Sequence, residues 1–139
     1  MKRLALFALT VGAGLLFAQP GTAAAQRSAP PGGAYKLVSS LVPLPDFVPG
    51  LGTLYVDPAT LPAGPFLGYD HQGKLVSSIY MIPLKDMNAQ KAFSDLKVAH
   101  ERVDHVDIIY NAGHPGVAEP HYHVILWYVS PQHASELAK

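Results

Sequence analysis

Residues 103–130 read VDHVDIIYNAGHPGVAEPHYHVILWYVS. Two runs rich in β-branched and aromatic residues flank a loop that contains glycine and proline, and this pattern is typical of two β-strands joined by a connection. Proline, glycine and aspartate also bound four similar runs earlier in the chain: YKLVSSLVPL, LGTLYVD, GPFLGYD and KLVSSIYMIPL. Six such runs predict a mostly β domain, either a small antiparallel barrel or a sandwich.

A tight turn and one or two short peripheral helices are predicted around these strands. The tetrapeptide Asp70-His71-Gln72-Gly73 joins two runs closely enough for a hairpin, and its glycine can adopt a positive φ. Residues 86–96 lack β-branched side chains, which favours a helix. The tail from 131 to 139 follows Ser130, a good N-cap, and has proline at the first helical position.

The amino-terminal residues have the order of a secretory signal. A basic start, MKR, precedes an apolar run from Leu4 to Ala18 and then small residues, with cleavage expected after Ala25. The apolar run is shorter than the roughly 20 residues that span a bilayer as a helix. The sequence thus predicts a signal peptide over 1–25, a flexible leader over 26–34 and one β-rich domain over 35–139. The product is expected to be periplasmic or secreted, with no stable membrane anchor after cleavage.

Composition excludes several classes of protein. The chain has no cysteine, which removes a lipid-anchored lipoprotein and a disulfide framework. Loss of Lys2 and Arg3 with the signal leaves eight basic against ten acidic residues, a formal charge of −2. Without a basic stripe, the electrostatic case for nucleic acid or an anionic membrane surface is absent.

Four of the seven histidines lie between residues 105 and 123. Strand periodicity places His105 with Asp107 on one face of the first strand, and His121 with His123 on one face of the second. If the strands are antiparallel neighbours with odd-numbered residues in step, these pairs are expected to meet across the ladder.

Imidazole and carboxylate groups that converge in this way suit Zn, Cu, Ni or Fe. The H-x-H pair is the stronger half of the signal, because H-x-D also occurs in ordinary polar strands. The loop adds His114 and Glu119, either of which can complete the coordination sphere or orient a ligand. In the alternative interpretation, Gly113 and Pro115-Gly116 only form turns, His114 is solvated, and the strand histidines line a wet sheet face.

Cupins are the first catalytic comparison, because their motif also begins with H-x-H in a β-barrel. A glutamate follows the second histidine there, whereas this chain has Ile125, Leu126, Trp127 and Tyr128 at the corresponding place. The match is therefore partial, and a metal-dependent enzyme stays a second hypothesis.

The same residues resemble a secreted bacterial family of unknown function, the TTHB type, named after a Thermus megaplasmid protein. Three matching segments carry the resemblance: His105-Val106-Asp107, Gly113-His114-Pro115 and Pro120-His121-Tyr122. The similarity extends back through GYDHQGKLVSSIYMIPL and spans residues 65–130. His123 stands where the family pattern has an acid, and Ile125 stands where it has a later histidine. The resemblance implies an exported, mostly β domain, and it implies no established reaction.

Three functional hypotheses follow from the sequence. The first is an exported module that holds a divalent transition metal through His105, His121 and His123, with Asp107, His114 and Glu119 as auxiliary candidates. The second is an enzyme that uses this metal on an unidentified small molecule. The third is a structural homo-oligomer whose interface histidines titrate near pH 6.5, since the apolar strand VILWYV needs cover.

Overall fold

The computed structural model describes residues 26–139, so the predicted signal peptide over 1–25 lies outside the described residues. Seven strands form one antiparallel sheet. Their bounds are β1 Lys36–Leu37, β2 Phe47–Val48, β3 Gly52–Val56, β4 Phe66–Tyr69, β5 Leu75–Pro83, β6 His105–Asn111 and β7 His121–Trp127. The predicted mostly β fold is confirmed.

The sheet is open. Its order is β1-β3-β4-β5-β7-β6, with β2 paired to β3 beside β1, so β1 and β6 form opposite ends of the path. Since this sheet does not close on itself, the sandwich-like alternative describes the fold better than the barrel. The run 35–44 forms only the two-residue β1 and a 3-10 turn, Val38–Ser40, because the prolines that follow cannot donate to a ladder.

Side chains alternate between the two faces of the sheet. One face, here named the cavity face, carries Phe66, Ile79 and Ile125, which belong to the larger core cluster. The other, here named the back face, carries Leu67 and Tyr69, which belong to a second cluster. β5 is covered on both faces, and this explains why its sequence is apolar almost without interruption.

Residues 26–34, predicted as a flexible leader, lie against the β4–β5 hairpin. The amide of Ala29 donates to the Gly73 carbonyl at 2.8 Å, and the amide of Leu75 donates to the Arg27 carbonyl at 3.0 Å. The Tyr69 hydroxyl donates to the Gln26 carbonyl at 2.7 Å. Part of this segment thus pairs with the hairpin, and Ala29 packs against the second core cluster on the back face.

Two short helices flank the sheet. Helix α1 spans Leu84–Asn88 and α2 spans Pro131–Glu136. The predicted helix over 86–96 is wrong in its extent, because the chain turns at Gln90, where φ is +57°. The predicted cap of the last helix is confirmed, since the Ser130 side chain accepts a hydrogen bond from the amide of His133.

Every helix within residues 26–139 is too short or too polar to cross a bilayer.

Candidate metal centre

Three histidines from β7 and the preceding loop lie together on the cavity face. They are His114, His121 and His123, and their candidate ligand nitrogens lie within 4.8 Å of one another. We refer to them as the three-histidine cluster. The two strand histidines are buried and His114 is partly buried, so the cluster is not a wet sheet face.

Strand β7 places His121 and His123 side by side. Because successive side chains of a strand point to opposite faces, residues two apart share a face. His121 is fully buried and His123 is 8% exposed. Their Nε2 atoms are 3.0 Å apart, close to the roughly 3.3 Å expected between two ligand nitrogens of a tetrahedral zinc ion with bonds of about 2.0–2.1 Å.

A tight turn brings His114 to this pair. His114 and Val117 exchange two backbone hydrogen bonds of 2.9 Å around Pro115-Gly116, and Gly116 has a φ of +86°. Proline followed by a residue with positive φ is the signature of a type II turn. The His114 ring centroid then lies 4.9 Å from that of His121. The turn-former interpretation of these residues is thus compatible with His114 belonging to the cluster.

Backbone carbonyls fix the orientation of two of the rings. His121 Nδ1 lies 2.7 Å from the carbonyl oxygen of Glu119, and His114 Nδ1 lies 2.9 Å from the carbonyl oxygen of Pro115. A carbonyl can only accept, so each Nδ1 carries a proton and donates it. In the neutral rings this leaves the Nε2 lone pair available, the arrangement common to metal-binding histidines.

The surroundings of His123 favour its uncharged ring. Burial, followed by the adjacent His121 and His114, lowers the pKa of His123 from 6.5 to about 4. His123 is therefore neutral at pH 7, which is the form that binds a metal ion.

The sequence expectation for His105 and Asp107 is corrected by the hairpin pairing. The predicted register, with odd-numbered residues in step, is confirmed, but His105 lies opposite Trp127 and Asp107 lies opposite Ile125. An antiparallel hairpin pairs the end of β6 with the start of β7, so His105 sits four residues, or about 13 Å, from the position opposite His123. The Asp107 carboxylate instead accepts a hydrogen bond from Trp127 Nε1 at 2.8 Å.

Glu119 contributes through its backbone. Its carbonyl orients His121, while its carboxylate forms an ion pair with Lys85 at 2.6 Å. Both side chains of that pair are more than half exposed. Of the two roles considered for Glu119, orientation of a ligand fits this geometry, and the carboxylate is not a member of the cluster.

An apolar cavity adjoins the cluster, and little in the sequence indicates it. Its volume is about 640 Å³. The sheet contributes Ile79, Met81 and Ile125 to the wall, and the segment before β3 contributes Val38, Val42 and Leu44. His114 and His123 also line it. The many valine and leucine residues between the prolines of residues 38–51 are the sequence signal that could have indicated this cavity.

Fold and cluster together define a small, open antiparallel β domain with three histidines, able to hold a metal ion, beside an apolar cavity. A solved structure, that of hypothetical protein TTHB210 from Thermus thermophilus, is 48% identical to this chain with a TM-score of 0.62. The match covers 68% of this chain and 87% of the Thermus chain. The chain therefore belongs to the family of this Thermus protein. No family model matches the chain, and no curated protein matches it either.

Proposed function

We propose that this protein is an exported domain that binds one divalent transition metal ion through His114, His121 and His123. The observation that carries the proposal is the convergence of three ligand nitrogens within 4.8 Å, two of them on rings oriented by backbone carbonyls. The third histidine adds to this argument, because the hydrogen bond between His121 and His123 satisfies that pair without it, yet the turn also brings the His114 ring to 4.9 Å from that of His121.

The ligand chemistry favours a borderline metal. Three imidazoles without thiolate suit Zn²⁺, Cu²⁺, Ni²⁺ or Fe²⁺, whereas Mg²⁺ and Ca²⁺ prefer oxygen ligands. Three protein ligands also leave one tetrahedral position open, the arrangement of zinc sites that bind water or substrate. We take zinc as the first ion to test.

The test is elemental analysis of the untagged full chain, followed by calorimetric titration of the metal-free protein with zinc. We expect one zinc per chain in the wild type. His114→Ala should weaken zinc binding by at least about 100-fold, since even the outer hydrogen-bond partner of a ligand is worth about 10- to 100-fold. Intact mass of the exported protein should place its first residue at Gln26, as the signal pattern predicts.

His105→Ala is the matched control, because it removes a histidine from the same face of the sheet outside the cluster. Zinc affinity should stay within about twofold of wild type in this variant. Equal losses in the two variants, or wild-type protein that binds no zinc while folded, would overturn the proposal.

Self-association is a second candidate role, favoured by the state of β6. Among residues 26–139 this strand ends the sheet and pairs only with β7, and it contains no lysine, arginine or proline to protect its edge. On its back face Val106, Ile108 and Tyr110 are 49%, 68% and 52% exposed. We propose that a second copy of the chain covers this strand.

A further inference from the structure

The cavity beside the three-histidine cluster has the size and lining of a small-molecule site. Its volume of about 640 Å³ lies within the roughly 300–1,000 Å³ of ligand pockets. Aliphatic side chains from the sheet and from residues 38–51 form most of its wall. Space of this kind favours an apolar occupant, because water there finds few hydrogen-bond partners.

Polar side chains are confined to a small part of the wall. Asn111, His114 and His123 are the polar ones among the lining residues, and the two histidines belong to the proposed metal site. An occupant of the cavity therefore contacts the edge of that site with one part and aliphatic side chains with the rest.

The charge of a bound metal ion indicates what that contacting part must be. Three neutral imidazoles leave the two positive charges of the ion uncompensated, and unpaired charge is costly in apolar surroundings. The two acidic side chains predicted from the sequence as ligands are engaged elsewhere, Asp107 with Trp127 and Glu119 with Lys85. An anionic group on the ligand would supply the compensating charge at the open position.

We propose, on the basis of the metal site proposed above, that the cavity binds an aliphatic monocarboxylate. The carboxylate occupies the open coordination position, and the hydrocarbon chain lies among Val42, Leu44 and Ile125. This assigns the ligand as an amphiphile with one anionic oxygen group, and it requires no chemical change of the ligand.

The probe is octanoate, titrated into the full chain with and without zinc, with zinc content measured on the same samples. We expect zinc to strengthen octanoate binding at least about tenfold, as a charge-assisted contact should. Acetate lacks the hydrocarbon chain and octanol lacks the charge. Each should therefore bind zinc-loaded protein more weakly than octanoate does. Zinc-loaded protein that does not bind octanoate, or binds octanol equally well, would overturn the ligand assignment while leaving the metal proposal intact. Absence of zinc would instead overturn the metal proposal.

The Leu41→Asp variant tests the role of the cavity without changing the proposed metal ligands. Leu41 lines the cavity and is 46% exposed, so the fold should tolerate an aspartate whose charge repels the carboxylate. Met87→Asp is the control, since Met87 is 49% exposed and is not among the lining residues. Octanoate binding should fall at least about tenfold in the first variant only, with zinc binding unchanged in both. Equal octanoate binding in the two variants would overturn the assignment of the cavity.

Discussion

At the scale of single residues, His121 shows why a fully buried imidazole is stable here. One ring nitrogen donates to the Glu119 carbonyl and the other lies 3.0 Å from His123, so both polar atoms are satisfied without water. Burial of an unpaired imidazole nitrogen costs free energy, and these contacts remove that cost. The bond to Glu119 leaves the Nε2 lone pair of neutral His121 directed into the cluster, where His123 Nε2 donates to it in the metal-free protein.

The pKa of His123 predicts a pH-dependent stability for the metal-free protein. The unfolded chain takes up a proton at this residue near pH 6.5, but the folded chain does so only near pH 4. Between these values the unfolded state binds more protons, so the free energy of unfolding falls as the pH drops from about 6.5 to about 4. Urea denaturation with a chelator at pH 7.5 and pH 5 measures this effect.

His123→Gln is the control, since glutamine keeps a polar side chain but does not titrate. The loss of stability between pH 7.5 and pH 5 should be smaller in this variant than in wild type. The same loss in both proteins would contradict the assignment to His123.

Residue identity alone allows only part of the cluster to be predicted. The H-x-H pair is recognisable because strand periodicity is short-range and regular. His114 is only an auxiliary candidate in the sequence, because a loop residue reaches the pair only through the turn at Pro115-Gly116 and its packing on Val42. Such packing depends on residues more than 70 positions away in the sequence, which no local pattern contains.

At the scale of elements, the turn from His114 to Val117 determines the position of His114, the third proposed metal ligand. A Cβ on Gly116 would lie 2.5 Å from Val42 Cγ1, so the turn rests directly on the cavity wall. The turn therefore links the metal cluster to the cavity, and a change in the cavity wall at this point should displace His114.

Gly116→Ala should weaken zinc binding as well as stability. The substitution strains a φ of +86° and pushes the turn away from Val42, which displaces His114. We expect a loss of about 1–2 kcal/mol in the free energy of unfolding and at least about tenfold in zinc affinity. Urea denaturation and calorimetry give the two quantities.

Gly73→Ala provides the matched comparison. Gly73 has a similar φ of +73°, but its nearest neighbour, Ala29 Cβ, would be 3.7 Å from the new methyl group. This variant should lose a similar free energy for the positive φ and keep its zinc affinity. Zinc affinity that falls equally in both would show that the turn has no special role.

At the scale of the whole molecule, the back face of the open sheet is covered by other segments at its centre and exposed at β6. Residues 26–35 and the segment after α1 cover the centre, where the Tyr80 hydroxyl donates to the Lys97 carbonyl at 2.6 Å and burial raises the pKa of Tyr80 to about 12. The β6 end keeps Ile108 68% exposed. This difference in exposure between the two regions supports the proposed assembly through β6.

Ile108→Lys should therefore shift the protein toward the monomer. The residue is exposed within one chain, so the substitution leaves the fold of that chain intact while placing a charge in the proposed interface. Molar mass from light scattering should fall to that of one chain. Val98→Lys, at a 55% exposed position in the loop before β6, should keep the wild-type mass, and a monomeric wild type would contradict the proposal.

The sequence by itself determined the mostly β class, the hairpin with Gly73 at its turn, the cap at Ser130 and the shared face of His121 and His123. Each depends on neighbours a few residues apart, where alternation, φ preference and capping act. Only the tertiary structure decided that His114 joins the pair, that His105 and Asp107 lie elsewhere, and that an apolar cavity adjoins the cluster. The antiparallel direction of the hairpin places His105 and Asp107 at its far end. The position of His114 and the cavity depend instead on the packing of residues 38–51 against the sheet and the turn, which are far apart in the chain.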